Sequence, residues 1–275
     1  MTGRWTAVLL VMPQLLTASR VLVHGHRGAR AVRPENTLAA FEYAIQAGVD
    51  ALELDLAVTR DNVVVVSHDP VLNPKICRGP AGLSRVIREL TLAELRQWDC
   101  GSLRNPDYPR QQPVAGARVP SLDEVFALAA RGAFDFNIET KIPRGQERYA
   151  PPPDEFARLV LDVVRRHRLE KRVILQSFDF RTLRAMKTLA PEIRLAALIE
   201  NDRDFAAAAR EAGAPIISPQ FRLVTPANVK TAHDAGLQVI PWTPNRAEDW
   251  KKMLDAGVDA IITDDPAELI RYLKR

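Results

Sequence analysis

Four stretches of this chain repeat one order of events. Gln46-Ala47-Gly48-Val49 runs into ALELD, Glu211-Ala212-Gly213-Ala214 into PIISP, Asp234-Ala235-Gly236-Leu237 into QVIPW, and Asp255-Ala256-Gly257-Val258 into DAIITD. In each, a helical stretch meets a glycine, the residue that takes most readily the left-handed conformation that stops a helix. The apolar, β-branched run that follows is too short for another helix and reads as a buried strand. A helix-to-strand unit repeated along a chain implies parallel strands, because a parallel neighbour can be reached only through a crossover, usually a helix.

Strand-like apolar runs fall at 21–24, 51–56, 63–67, 133–138, 173–176, 194–199, 215–218, 238–242 and 260–263. That is one more than a (β/α)₈ barrel holds. The run 63–67 follows its predecessor through only Thr59-Arg60-Asp61-Asn62, too short for a crossover, so it reads as the return arm of a hairpin. Eight parallel strands remain, and the expected fold is an α/β (β/α)₈ TIM barrel. Helices are expected at 37–47, 122–130, 155–166, 180–189, 202–212, 226–235 and 246–256, with Asn36 and Ser121 as N-caps. The stretch 70–120, rich in Pro, Gly and Arg with a short helix near 92–97, is longer than an ordinary connection and reads as an insertion over the barrel mouth.

The 275 residues, 47% hydrophobic and 26% charged, have globular composition and suit one barrel domain over 20–275. Formal charge is +4 with no dense Lys/Arg run, which argues against a nucleic-acid partner. The start, residues 1–19, carries Arg4, an apolar run over 7–16 broken by Pro13, and the small residues Thr17-Ala18-Ser19. That is the layout of a short signal peptide, and export to the periplasm or medium is the expectation; a disordered start or a lid on a cytoplasmic protein is the alternative. The run is too short to span a bilayer, so no stable membrane insertion is expected. Cys77 and Cys100 are the only cysteines and fit no zinc spacing. In an oxidising compartment they could close a loop worth about 3 kcal/mol; in the cytosol they would be two thiols.

The active site of such a barrel lies at the C-terminal strand ends, where His26, Glu53, Asp55, Glu139, Lys141 and Trp242 fall. Glu53 and Asp55 are two apart on one strand and so share a side. Two carboxylates aimed together raise each other's pKa unless a cation neutralises them, and Glu139 can add a third oxygen ligand. An all-carboxylate set suits Ca²⁺ or Mg²⁺ better than zinc. The plainer reading is that strand-end carboxylates cap helices or pair with Arg. His26 and His68, each followed by a charged residue at a strand end, can divide proton donation and acceptance around a phosphodiester. His24 reads as a packing residue, and His167 and His233 lie on helices. Arg27 and Lys141 are expected at the pocket mouth as phosphate contacts, or paired with a carboxylate. Trp242 reads as a pocket wall or a barrel-layer aromatic, and Asp264-Asp265 before Pro266 as the cap of the last helix.

The string HGHRGARAVRPENTLAAFEYAIQAGVDALELDLAVTRDNVVVVSHDP closely resembles the start of the glycerophosphodiester phosphodiesterase family, with its HRG, PENT, E-x-D and HD segments; NIETK, QSF, IPWT and ITDDP then follow in the family's order. The resemblance implies a barrel of the phosphatidylinositol-specific phospholipase C type. It also implies a divalent cation, Ca²⁺ or Mg²⁺, and hydrolysis of small-molecule glycerophosphodiesters to glycerol 3-phosphate and an alcohol. Carried over residue by residue, it makes His26 and His68 the acid/base pair, Glu53, Asp55 and Glu139 the metal ligands, and Arg27 a phosphate contact. Glu35, in the PENT segment, is implied near the site, although its place at a helix start explains it equally well. Two rival readings remain: a lysophospholipase D of the same fold, marked by an apolar groove within 70–120, and a non-catalytic phosphate- or lipid-binding barrel.

Overall fold

The computed structural model describes residues 20–274, and the leader-like segment 1–19 lies outside the described residues. Strand β1 (Leu22–Gly25) leads through α1 (Leu38–Ala47) to β2 (Ala51–Val58), and the chain turns back as β3 (Val64–Val66). A long connection carrying α2 (Leu92–Leu95) precedes α3 (Leu122–Phe126) and β4 (Asp135–Thr140). Helix and strand then alternate through α4 (Pro153–His167), β5 (Val173–Ser177), α5 (Phe180–Leu189), β6 (Arg194–Ile199), α6 (Phe205–Ala212), β7 (Ile216–Pro219), α7 (Pro226–Asp234), β8 (Gln238–Val239), α8 (Ala247–Ala256), β9 (Ala260–Thr263) and α9 (Pro266–Leu273).

The sheet runs β8-β7-β6-β5-β4-β2-β1-β9 with every neighbouring pair parallel, and β3 lies antiparallel on β2 with Ala57 opposite Val65. The first and last strands of this order are joined by Asp259 N donating to Val239 O and Ile262 N donating to Pro241 O, both at 3.0 Å. The expected nearly closed eight-strand parallel barrel with one hairpin arm is therefore present. The glycine signal also holds: Gly48, Gly213, Gly236 and Gly257 all have positive φ.

Local chemistry moves several boundaries. The N-cap of α1 is Thr37, whose hydroxyl accepts from Ala40 N, and not Asn36, which sits in the left-handed region at φ 56°. Ser121 caps α3 as expected, in a reciprocal box with Glu124, but the α-helix ends at Phe126 and a 3₁₀ turn continues to Arg131. Helix α4 begins two residues early because Pro153 suits a first helical position, where no N–H is needed. Strand β8 is cut to two residues, since Pro241 has no N–H to give the ladder, although Trp242 still bridges to Gln220 and Ile262.

Alternation along β2 separates structure from chemistry. Leu52, Leu54 and Leu56 join the large apolar layer between sheet and helices, each burial stabilising by about 1.5–3 kcal/mol. Glu53 and Asp55 point the other way. A second, smaller cluster of Ile174, Ala196, Ile216, Ile240, Ala260 and Ile262 fills the barrel interior.

The connection between β3 and α3 builds a core of its own, in which Leu72, Ile87, Leu90, Leu95, Trp98 and Val119 pack with Ala57 and Val65. Cys77 and Cys100 are disulfide-bonded, with Cα atoms 4.0 Å apart and a sequence separation of 23. Its far end is tied to the segment after β1: Gln111 Nε2 donates to Arg30 O at 2.8 Å and Gln112 N to Val32 O at 3.1 Å. Replacing both cysteines with serine is expected to cost about 3 kcal/mol. In a thermal melt without reductant this should appear as a fall in Tm of roughly 6–12 °C.

Candidate active site

Immediately after β1 the chain makes a tight turn that places His26 and Arg27 over the barrel. Arg27 and Gly28 both have positive φ, at 48° and 83°. A Cβ on Gly28 would stand 2.7 Å from the backbone carbon of Ala40, so only glycine lets α1 approach this closely. The strained turn directs the Arg27 backbone N–H at Glu53 Oε2, 2.9 Å away. Non-glycine residues in this backbone region persist where surrounding contacts over-determine them, and they cluster at functional sites.

Glu53, Asp55 and Glu139 are brought together, with one oxygen from each lying within 4.8 Å of the others. Glu53 accepts from Gln176 Nε2 at 2.8 Å, and Asp55 accepts from Asn36 Nδ2 at 2.9 Å. Lys141 Nζ stands 2.8 Å from Glu139 and 3.2 Å from Asp55, while Arg27 Nε is 3.3 Å from Asp55. Burial pushes Asp55 up, but Lys141 and Arg27 outweigh it and hold the carboxyl well below its usual range. Glu53 goes the other way, pushed well up by burial and by the charge of Asp55. Glu139 is raised as well, chiefly by burial, which Lys141 only partly offsets.

Two cations thus face three buried carboxylates, and Arg27 also serves Glu35 at 2.7 Å. Asp55 Oδ1 is buried and receives no hydrogen bond. A buried carboxylate oxygen met only by the Lys141 ammonium, an all-oxygen donor set and an excess of negative charge are what a hard divalent cation satisfies, so the three side chains fit a metal ion.

The two candidate histidines are held alike. His26 Nδ1 meets Asp264 Oδ1 at 2.5 Å, leaving Nε2 3.9 Å from Glu53 Oε2. His68 Nδ1 meets Asp69 Oδ1 at 2.7 Å, and its ring lines one cleft with Glu139 and Lys141. Burial pulls His26 down to about 4 despite the opposing pull of Asp264. His24 is buried, lowered to about 3 by burial, and lies 3.4 Å from Asn137 Nδ2, which makes it a neutral packing residue as expected.

Arg27 and Lys141 do not stand free at the mouth. Arg27 is only 8% exposed, and each cation is locked in ion pairs with carboxylates. Glu35 lies between Arg27 and Arg30, whose Nε is 3.3 Å away. Trp242 is partly buried, donates from its indole nitrogen to Ser218 O at 3.0 Å, and meets Phe178 edge to face at 5.6 Å. Beyond His68, Lys141 and Phe178 opens a cleft of about 700 Å³.

Sequence reasoning missed four residues here. Asn36 was assigned to a helix cap, yet it pins Asp55. Gln176, inside an apolar run, is bonded to both Glu53 and Asn137. Phe178 is, among the described residues, one of the few large exposed apolar side chains. Asp264 was paired with Asp265 as a cap; Asp265 does cap α9, accepting from Glu268 N, but Asp264 turns to His26. The available signal was the doublet itself, since one carboxylate suffices for a cap.

The sequence pattern of the glycerophosphoryl diester phosphodiesterase family matches residues 26–268. This chain belongs to that family. A glycerophosphodiester phosphodiesterase of Caldanaerobacter subterraneus subsp. tengcongensis is 32% identical over 93% of this chain and 99% of its own length. One from Bacillus subtilis is 31% identical over 95% of this chain and 89% of its own. A crystal structure from Silicibacter pomeroyi, of a candidate glycerophosphoryl diester phosphodiesterase, superposes with a TM-score of 0.86 at 36% identity, over 93% and 94% of the two chains. A phosphodiesterase from Oleispira antarctica, solved with the product sn-glycerol-3-phosphate, shares the fold with a TM-score of 0.78 at 24% identity, over 92% and 97% of the two chains.

In this family member the Asp264 carboxyl is held down at about 2; burial opposes this, but His26 and Arg30 outweigh it. Its folded-state pKa lies below the ordinary 3.8, so Asp264 stabilises the fold above about pH 4 and that contribution is lost as pH falls through 2. The stability gap between wild type and Asp264→Asn, read from urea unfolding, should be full at pH 6 and narrow steadily below pH 4.

Proposed function

We propose that this chain hydrolyses glycerophosphodiesters to sn-glycerol 3-phosphate and an alcohol, with a divalent cation, Ca²⁺ or Mg²⁺, held by Glu53, Asp55 and Glu139. Proton transfer falls to His26 and His68. Family membership, the activity named for the relatives and the product bound by the Oleispira antarctica enzyme support this reading. The observation that carries it is geometric. Each histidine has its Nδ1 on an aspartate, His26 beside Glu53 and His68 on the cleft that Glu139 lines, which leaves each Nε2 for substrate.

When bound, the ion supplies Lewis-acid polarisation of the phosphate oxygens. The chain's own groups do the rest. His26 Nδ1–H donates to Asp264, so the neutral imidazole offers an unprotonated Nε2 to take the proton of the attacking group, either a water or a neighbouring glycerol hydroxyl, whose cyclic phosphate a water then opens. His68 Nε2 exchanges a proton with the leaving oxygen, with Nδ1 steadied by Asp69. Arg27 and Lys141 keep Asp55 ionised and face the phosphate with their remaining N–H groups. Phe178 walls the cleft beside Lys141, with Trp242 packed edge to face against it.

Residues 20–275 act as one catalytic domain, and 1–19 as an export leader. The Cys77–Cys100 bond supports an oxidising compartment, and among the described residues no helix is long and apolar enough to cross a membrane. The large apolar residues Leu72, Ile87, Leu90, Leu95 and Trp98 of the long connection are buried in its own core, which disfavours a lysophospholipid substrate.

Alanine at either His26 or His68 should lower kcat on glycerophosphocholine by about 10²–10⁴-fold with the fold retained, the His26 variant melting at a lower temperature because buried Asp264 loses its partner. Glycerophosphocholine should be turned over well and lysophosphatidylcholine barely; near-normal activity of His26→Ala overturns the assignment. Adding Ca²⁺ or Mg²⁺ to chelator-treated wild type should raise its Tm, by about 2.7 kcal/mol of stability at a concentration a hundred times Kd. Glu53→Gln should abolish that rise, measured by calorimetry without substrate.

A further inference from the structure

We propose that Tyr108, in the long connection between β3 and α3, is a positioning residue of the active site: it holds Asp264 so that Asp264 holds His26. The inference rests on the reading of His26 as a proton carrier and extends that site to a segment far from the strand ends in sequence.

Both oxygens of Asp264 are engaged. Oδ1 meets His26 Nδ1 at 2.5 Å, while Oδ2 accepts from Tyr108 Oη at 3.1 Å and from Asn245 Nδ2 at 2.8 Å. Asn245 cannot rotate to compensate for a lost partner, because its Oδ1 accepts from Asp264 N at 2.9 Å and Thr263 Oγ1 at 3.1 Å. Asp264 is almost fully buried, so no bulk water stands ready to replace a missing donor. A carboxylate with one donor fewer can rotate about its Cβ–Cγ bond, and the imidazole bonded to it turns with it.

Tyr108 is itself fixed. The Arg30 guanidinium lies 4.5 Å over its ring, and Arg30 is anchored 3.3 Å from Glu35, which also binds Arg27. Behind it, Tyr108 O accepts from Gln111 N at 3.0 Å, and Gln111 ties Asn105 N to Arg30 O. This buried glutamine joins the connection to the turn that carries His26. A segment meant only to cover the barrel would have no use for a hydroxyl aimed at the carboxylate behind the imidazole.

The test is steady-state kinetics on glycerophosphocholine with the metal-loaded enzyme, using Tyr108→Phe, Asp264→Asn and the double variant. Losing one hydrogen bond to a charged group should lower kcat of Tyr108→Phe by about tenfold. KM should stay within a factor of about two and the Tm within about 2 °C, since the ring and its packing remain. If Tyr108 acts through Asp264, the double variant should be no slower than Asp264→Asn alone. Full kcat in Tyr108→Phe, a loss confined to KM or Tm, or additive losses in the double variant would each overturn the proposal and leave the proposed function standing. Activity in His26→Ala would remove the function reading instead.

Discussion

The fold carries an electrostatic load at one place. Three carboxylates are buried along β2 and near the end of β4, and like charges confined in a low-dielectric site repel one another strongly. The barrel answers with directed donors: the Arg27 backbone N–H and Gln176 on Glu53, Asn36 on Asp55, and Lys141 bridging Asp55 and Glu139. The opposite pKa directions of Glu53 and Asp55 show that the compensation is uneven. That imbalance is the physical reason the three side chains fit a cation.

Much of the surrounding structure serves that arrangement. The left-handed turn at Arg27-Gly28 exists to deliver a backbone N–H and a guanidinium from two directions. Asn36 takes up another positive φ and thereby reaches Asp55 instead of capping α1. The Arg27–Glu35–Arg30 chain links the carboxylates by ion pairs to Asp264 and Tyr108, so the imidazole support and the carboxylate cluster share one network.

The long connection has two parts with different work. Its first half, closed by Cys77–Cys100, is a small apolar core seated on the β2–β3 hairpin. Its second half, from Asn105 to Gln112, is polar and hydrogen-bonded to the segment after β1 and to the strand end of β9. Periodicity could say only that this stretch was too long for an ordinary loop, because its contacts join residues 81 and 156 positions apart.

The amino-acid order by itself determined the parallel barrel, the hairpin arm and the pairing of Glu53 with Asp55 on one face. Each follows from local rules of helix stopping, strand period and connection length, which act over a few residues. It also marked His26, His68 and Glu139 by their places at strand ends. Only the tertiary structure decided that Asp264 backs His26, that Gln176 and Asn36 steady the carboxylates, and that Arg27 and Lys141 are locked in ion pairs. Those roles depend on which distant strand ends the closed barrel sets within about 3 Å of each other, the reach of a hydrogen bond, and no local pattern encodes that distance.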